Sequence, residues 1–168
     1  MTIAMFDASV PVFKQFLNSL SALLTKAQTH VKEHHLEEES ILKARLFPNM
    51  FDFTRQVQIA ADFAKGVSAR LAGFEVPVYS DDETNFQELQ ARLFKTLHFI
   101  ESIPPKAFDG SENRDIITQA GTPKEKHFKG LVYLCHYGLP HFYFHTTTAY
   151  DILRHQGVEI GKKDFLGT

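Results

Sequence analysis

The chain has 168 residues, of which 43% are hydrophobic and 23% charged, and its formal net charge is -2. This composition is that of a globular domain, excludes the disordered class, and argues against nucleic acid as a partner because the basic excess that phosphates attract is missing. The single cysteine, Cys135, excludes an internal disulfide and indicates a reducing compartment. No apolar run reaches the roughly 18 residues of a membrane span, and no basic stretch precedes an apolar one at the start. We therefore expect a cytoplasmic protein without a membrane partner.

Four long amphipathic helices are predicted from the spacing of apolar residues. The first runs from about Ser9 to about His34, and a short helical piece, Ser40 to Leu46, follows it and ends before Pro48. The second helix runs from about Asn49 to Leu71, and Gly73 is placed as its C-terminal stop.

The third helix is predicted to begin near Ser80, because Ser80 and Glu83 have the spacing of a capping box. The proline pair at 104–105 ends it. Between residues 108 and 128 the helical period is lost, and two short segments flank a turn-forming sequence. We expect a small β-hairpin there, with its turn at Gly121 to Pro123.

The fourth helix is predicted from Gly130 to Gln156, with Pro140 kinking it and Gly157 ending it. Four long helices with connections of this kind are typical of an up-and-down four-helix bundle. The expected fold class is therefore all-α, with a short β-hairpin inserted before the last helix. No linker interrupts the sequence, so residues 1–168 are expected to form one domain.

Two histidines of the fourth helix are the main chemical lead. At ~100° per residue, His141 and His145 lie one turn apart on the face directed towards the bundle interior. Such a pair is the usual helical clamp for a divalent metal ion, although a usable site needs at least a third protein ligand. The alternative is a hydrogen-bonded pair in an aromatic-rich core. Cys135 lies at the edge of the same face and is expected to be a plain buried thiol.

The opposite face of the fourth helix is also mostly apolar, so something must cover it. It carries Val132, His136, Leu139, Tyr143 and Tyr150. A tyrosine-rich strip suits the interface of a symmetric homodimer. Cover by the hairpin or the C-terminal tail of the same chain is the alternative.

Four segments together carry a resemblance to a known family: Met5–Phe13, Phe53–Lys65, Arg70–Glu75 and His145–Gly167. The chain resembles, over essentially its whole length, a bacterial family of unknown function in the DinB-like superfamily of four-helix bundles. The resemblance implies a single DinB-like domain, a homodimer and a metal-dependent enzyme. Characterised DinB-like proteins include thiol-dependent S-transferases and an isomerase.

The resemblance also implies a set of metal ligands. DinB-like proteins use three histidines, one from the second helix and two that lie one turn apart on the fourth. His141 and His145 match the latter two, but no histidine occurs between Pro48 and Gly73. The inward side of the second helix offers Gln56 at its edge and Asp52 further round as replacements. The metal would be Zn²⁺, Ni²⁺ or Mn²⁺, and a glutamine carbonyl suits the harder ions better than zinc.

Two functions are consistent with these patterns. The first is a divergent metal-dependent enzyme with an incomplete metal site on the second and fourth helices. The second is a non-catalytic dimeric module, binding or structural, that has lost the metal and holds a small molecule among its phenylalanines.

Overall fold

A computed structural model of the chain describes residues 3–167. In this range four long helices form a four-helix bundle, and a two-stranded antiparallel sheet precedes the last of them, which confirms the predicted fold class. The helices are α1 (Val10–Glu33), α2 (Glu38–Leu42), α3 (Phe53–Ala72), α4 (Phe86–Ser102), α5 (Gly130–Tyr133), α6 (Leu139–His155) and α7 (Lys162–Leu166), and the strands are β1 (Asp115–Thr118) and β2 (Lys126–Lys129). None of these helices is long and apolar enough to cross a membrane.

The core lies where the apolar stripes of α1, α3, α4 and α6 meet. Phe13 of α1 and Phe142 of α6 pack edge to face there, with ring centroids 4.9 Å apart. Edge-to-face packing of this kind adds about 1 kcal/mol to the stabilisation from burial alone. The stripes predicted for α1 and α3 are buried, except that Phe63 is half-buried.

Helix α3 begins at Phe53, four residues later than the sequence predicts, because Asp52 takes the N-cap position. Its carboxylate oxygen Oδ1 accepts a hydrogen bond from the backbone N–H of Arg55 at 2.9 Å. Gly73 ends the helix with φ of 76°, a left-handed conformation that favours glycine, so the predicted stop is confirmed.

Helix α4 begins at Phe86, and the capping box predicted at Ser80 and Glu83 is wrong. The N-cap is Asn85, whose side chain accepts from the backbone N–H of Glu88 at 2.9 Å. Glu83 instead pairs with the buried guanidinium of Arg92 at 2.9 Å. This ion pair holds the segment before α4 in an extended conformation. Leaving the buried cation unpaired would cost more free energy than one additional helical turn would gain.

The predicted hairpin is confirmed. Strand β1 pairs antiparallel with β2, with Asp115 opposite Lys129 and Thr118 opposite Lys126. Gly121 has φ of 73° in the connecting turn, which explains why glycine is needed there.

The fourth predicted helix is broken into three parts by a π-helical segment, Leu134–Gly138, between α5 and α6. The backbone N–H of Leu139 bonds to the carbonyl of Leu134, five residues back, just before Pro140, which has no N–H to donate. The wider turn directs Cys135 outwards. The expected buried thiol is therefore wrong, and Cys135 is exposed.

The C-terminal tail forms the short helix α7, which the sequence did not indicate, and packs on α1. Lys26 of α1 pairs with Asp164 at 2.6 Å. Phe165 contacts Phe16 of α1 and Tyr150 of α6, at ring-centroid distances of 5.2 and 5.7 Å. The tail thus covers the Tyr150 end of the outer face of α6.

Candidate functional site

The histidine pair lies where α6 packs against α3. His145 is 8% exposed, and its Nδ1 lies 2.7 Å from Oε1 of Gln56. The amide nitrogen of Gln56 donates to the carbonyl of Phe51 at 3.2 Å, which leaves the amide oxygen to face the imidazole. Nδ1 of His145 therefore carries the proton and donates it to Gln56.

His141 has the same arrangement with a different acceptor. Its Nδ1 lies 2.7 Å from the backbone carbonyl oxygen of Tyr137. Because a carbonyl oxygen only accepts, Nδ1 is again the donor. In the neutral form of each ring, Nε2 then carries the free lone pair.

The charge state of His145 is set mainly by its burial. Burial lowers the pKa of His145 from its ordinary value of 6.5 to about 4, and the charges of His141 and Arg55 act in the same direction. The ring is therefore neutral near pH 7.

Aromatic rings enclose the pair. Phe63 of α3 lies nearly parallel to His141 and His145, at interplanar angles of 17° and 18° and centroid distances of 4.6 and 6.1 Å. Tyr137 packs on His141 from another side, at 4.3 Å. The pair thus lies among aromatic rings, with His145 buried and His141 half-buried.

The two other predicted ligands are differently engaged. Gln56 is at the pair but serves as the acceptor for His145. Asp52 caps α3 and lies 3.9 and 3.7 Å from the cationic groups of Lys43 and Arg45. Within residues 3–167, no group of three or more His, Cys, Asp or Glu residues is placed to hold a metal ion. Two imidazole nitrogens without a third such ligand do not fit the three-ligand metal centre of the DinB-like class.

A cleft of about 430 Å³ has Phe63 and Tyr137 in its wall, and neither His141 nor His145 is among the described residues that line it. Its other walls come from the outer face of α3, the segment after α3, the hairpin and α5. The charged and hydroxyl-bearing lining residues are Asp62, Lys65, Arg70, Tyr79, Thr118, Tyr133 and Tyr137. The sequence did not indicate this cleft, because its walls are distant along the chain. The one local signal was Gly66, a glycine one turn before Arg70 in the middle of a helix.

Comparison with known structures gives the class of the protein. A crystal structure described as that of a DinB family member protein from Shewanella denitrificans, at 1.83 Å resolution, matches this fold with a TM-score of 0.91 and 36% sequence identity. The match covers 98% of this chain and 92% of that chain. The fold is therefore that of the DinB-like bundles.

A family model identifies the family to which the chain belongs within the DinB-like class. The family described as a domain of unknown function, DUF1993, matches residues 5–166. The chain belongs to this family, as the resemblance in its sequence predicts. No curated protein matches the chain.

Proposed function

We propose that this protein is a non-catalytic binding module of the DinB-like class, in which the histidine pair is a hydrogen-bonded part of the core. One observation carries the proposal. The helix from which DinB-like proteins take their third histidine places an amide, Gln56, at the pair, and that amide oxygen accepts the Nδ1 proton of His145 at 2.7 Å.

The chemistry of this donor set supports binding over metal-dependent catalysis. An amide oxygen is a poor ligand for zinc, and the one at Gln56 already accepts a short hydrogen bond. Phe63 lies against both imidazoles and separates them from the cleft. A ligand in the cleft would meet the aromatic wall before it met either histidine.

A second candidate function is favoured by the histidine tautomers. Metal-ligating histidines commonly donate one ring N–H to a carbonyl and bind the ion with the other nitrogen. His141 and His145 both donate from Nδ1 to an oxygen. The alternative proposal is a Zn²⁺, Ni²⁺ or Mn²⁺ ion on these two residues, with Gln56 or Asp52 completing the set after rearrangement.

Metal content and thermal unfolding separate the two candidates. The protein is purified without a polyhistidine tag or chelator, analysed for metals, and melted with and without Zn²⁺, Ni²⁺ and Mn²⁺. We expect substoichiometric metal and an unchanged Tm, because an ion at a hundred times its Kd would stabilise the fold by about 2.7 kcal/mol.

The matched variants are His145→Ala and His155→Ala, the second being an exposed histidine of the same helix. One tightly held metal per chain that is lost in His145→Ala and kept in His155→Ala would overturn the binding-module proposal in favour of the metal site.

We also propose that the part of the α5–α6 face left uncovered by α7 pairs with a second copy of the chain. Val132 and Tyr143 remain 46% and 36% exposed there. Light scattering on Val132→Glu should give a lower mass than that of the wild type. Phe94→Glu, on the exposed side of α4, is the control and should leave the mass unchanged. A monomeric wild-type protein would contradict the dimer.

A further inference from the structure

The cleft beside α3 contains a cation whose charge is not matched by the protein. The Arg70 guanidinium donates from Nη1 to the backbone carbonyl of Gly66 at 3.2 Å and to the hydroxyl of Tyr133 at 3.4 Å. Over residues 3–167 it has no ion pair with a carboxylate. A guanidinium has five N–H donors in a fork that matches a carboxylate, so most of its donors are left for a ligand.

Gly66 makes room for this guanidinium. A Cβ atom at position 66 would lie 2.7 Å from Nη1 of Arg70, whereas the nearest side-chain atom outside Arg70 and the two adjacent residues, Cγ1 of Val76, is 4.0 Å away. The small residue therefore lets Arg70 fold back along α3 and present its head group in the cleft. Glycine within a helix is unfavourable by itself, so a packing or binding reason is needed for it.

Two hydroxyl groups stand near the same wall. Tyr133 accepts from Arg70, and its own O–H has no acceptor among the described residues. Burial raises the pKa of Tyr133 even though the charge of Arg70 lowers it, so the hydroxyl remains a neutral donor. Thr118, 4% exposed and also in the wall, has a buried Oγ1 without a hydrogen-bond partner in the described chain. Unpartnered buried hydroxyls are uncommon and call for an explanation.

The other cation in the wall, Lys65, already has a carboxylate partner, which it shares with Arg92. Lys65 pairs with Asp62 at 2.9 Å and lies 3.7 Å from the ring centroid of Tyr79. Among the described lining residues, Arg70 is therefore the one cation without a carboxylate partner. Lys95 and Lys126 lie outside the lining, with their Nζ atoms 4.1 and 5.4 Å from the ring centroids of Tyr79 and Tyr137. A single positive charge in the wall suits a carboxylate better than a doubly charged phosphate. The remaining walls include the rings of Phe63, Tyr79 and Tyr137 together with three valines, which suit a flat apolar body.

We propose that this cleft binds a small aromatic carboxylate, with Arg70 as its anchor and Tyr133 as a neighbouring donor. The inference rests on the proposed binding function and names its ligand class. The volume of about 430 Å³ is within the range of small-molecule sites. The carboxylate meets the free N–H groups of Arg70, and the ring lies between the aromatic side chains.

The test uses a pair of probes that differ in charge. The chain has no Trp, so the indole fluorescence of indole-3-acetate and of its neutral amide, indole-3-acetamide, can be followed without interference from the protein. Both are titrated with the whole 168-residue chain in the presence of a chelator, and benzoate and phenyl phosphate are used as competitors. We expect the acid to bind at least tenfold more tightly than the amide, and benzoate to displace it better than phenyl phosphate does.

Two variants assign the binding to Arg70. Arg70→Gln removes the charge and should weaken binding of the acid by about tenfold to a hundredfold, while hardly changing binding of the amide. Gly66→Ala keeps the charge but displaces the guanidinium, so it should weaken binding of the acid without lowering the Tm. Arg154→Gln and Gly161→Ala, which lie outside the cleft, are the matched controls and should bind as the wild type does.

Equal affinity for acid and amide, no binding of the acid, or unchanged binding in Arg70→Gln would overturn this inference. Tighter displacement by phenyl phosphate than by benzoate would also overturn it, because the anion would then be a phosphate. None of these outcomes bears on the proposed loss of the metal, which is tested by metal content and by His145→Ala.

Discussion

Arg92 and Arg70 are two arginines with opposite surroundings. Arg92 is 3% exposed and lies 2.9 Å from each of three carboxylates, those of Asp62, Asp81 and Glu83. These partners lie on α3 and on the segment that precedes α4. A buried cation matched in this way joins chain segments together, and its charge is already compensated by the protein.

Arg70 has one backbone carbonyl and one phenol as its partners. It lines the cleft instead of closing it. The comparison teaches that charge alone does not separate a structural arginine from a binding one. The presence or absence of carboxylate partners does, because only an unmatched guanidinium gains from meeting an anion.

His145 is a third basic side chain, and its surroundings differ from those of both arginines. It is a buried base with an amide as its Nδ1 partner, and it remains neutral near pH 7. The molecule thus contains a compensated cation, an uncompensated cation and a base that burial keeps uncharged. Each can be perturbed separately.

The largest effect is expected from removing the compensated cation. Arg92→Met leaves three carboxylates close together without their common partner, so we expect the free energy of unfolding to fall by about 3 kcal/mol. Urea unfolding measures it. Arg70→Gln is the contrasting variant and should cost less than about 1 kcal/mol, since no ion pair is broken. Equal losses in the two variants would contradict the distinction between these arginines.

The next effect is a dependence of stability on pH. The pKa of His145 is about 4 in the folded chain and 6.5 as its ordinary value. Between these values the unfolded chain binds the proton more strongly, so the stabilisation is complete above pH 6.5 and is lost as the pH falls to 4. The loss amounts to about 3 kcal/mol.

The measurement is the free energy of unfolding of the wild type minus that of His145→Gln, from pH 7 to pH 4 in chelator. We expect this difference to decrease as the pH falls. A difference that stays constant would show that His145 titrates in the same way in the folded and unfolded chains. His155→Gln, at an exposed histidine of the same helix, is the control substitution.

A smaller loss is expected when the acceptor for His145 is removed. Gln56→Leu keeps an apolar side chain of similar size but leaves the buried Nδ1–H without a partner, which costs about 2 kcal/mol. Chemical denaturation checks it, with the exposed Gln87→Leu as the control. If Gln56→Leu were as stable as the wild type, the hydrogen bond would not be what fixes the imidazole.

The smallest effect has the opposite sign. Gly66→Ala should raise the free energy of unfolding by up to about 1 kcal/mol, because alanine is the better helix former. This gain requires the Arg70 head group to move aside. A clear loss of stability would mean that Arg70 is held as firmly as Arg92, and would remove the contrast between them.

The histidine pair could be predicted because α6 is regular. From Leu139 to His155 the helical period holds, so the spacing of His141 and His145 gave their common face correctly. Gln56 was likewise identified from its position on α3. The hydrogen bond from His145 to the Gln56 amide oxygen could not be predicted. The orientation of an amide depends on neighbouring polar groups, here the carbonyl of Phe51.

The predictions that were wrong or missing share one physical cause, which is that they depend on contacts or backbone geometry that local sequence patterns do not contain. Ser80 and Glu83 satisfy a local capping pattern, but the carboxylate is taken by Arg92 from the next helix. Cys135 was placed with a constant angle per residue, which fails in the π-helical turn before Pro140. The cleft around Arg70 could not be predicted because part of its wall comes from the hairpin and α5, which are distant from α3 along the chain. Local periodicity predicts elements well and long-range pairing of polar groups poorly.

The most direct test of the account is a nitrogen NMR spectrum of the histidine rings during a Zn²⁺ titration of chelator-treated protein. We expect Nδ1 of His145 to be protonated, and the Nε2 nuclei of His141 and His145 to keep their shifts when one equivalent of Zn²⁺ is added. Saturable shifts of both Nε2 nuclei at one equivalent would contradict it, because the pair would then be a metal site.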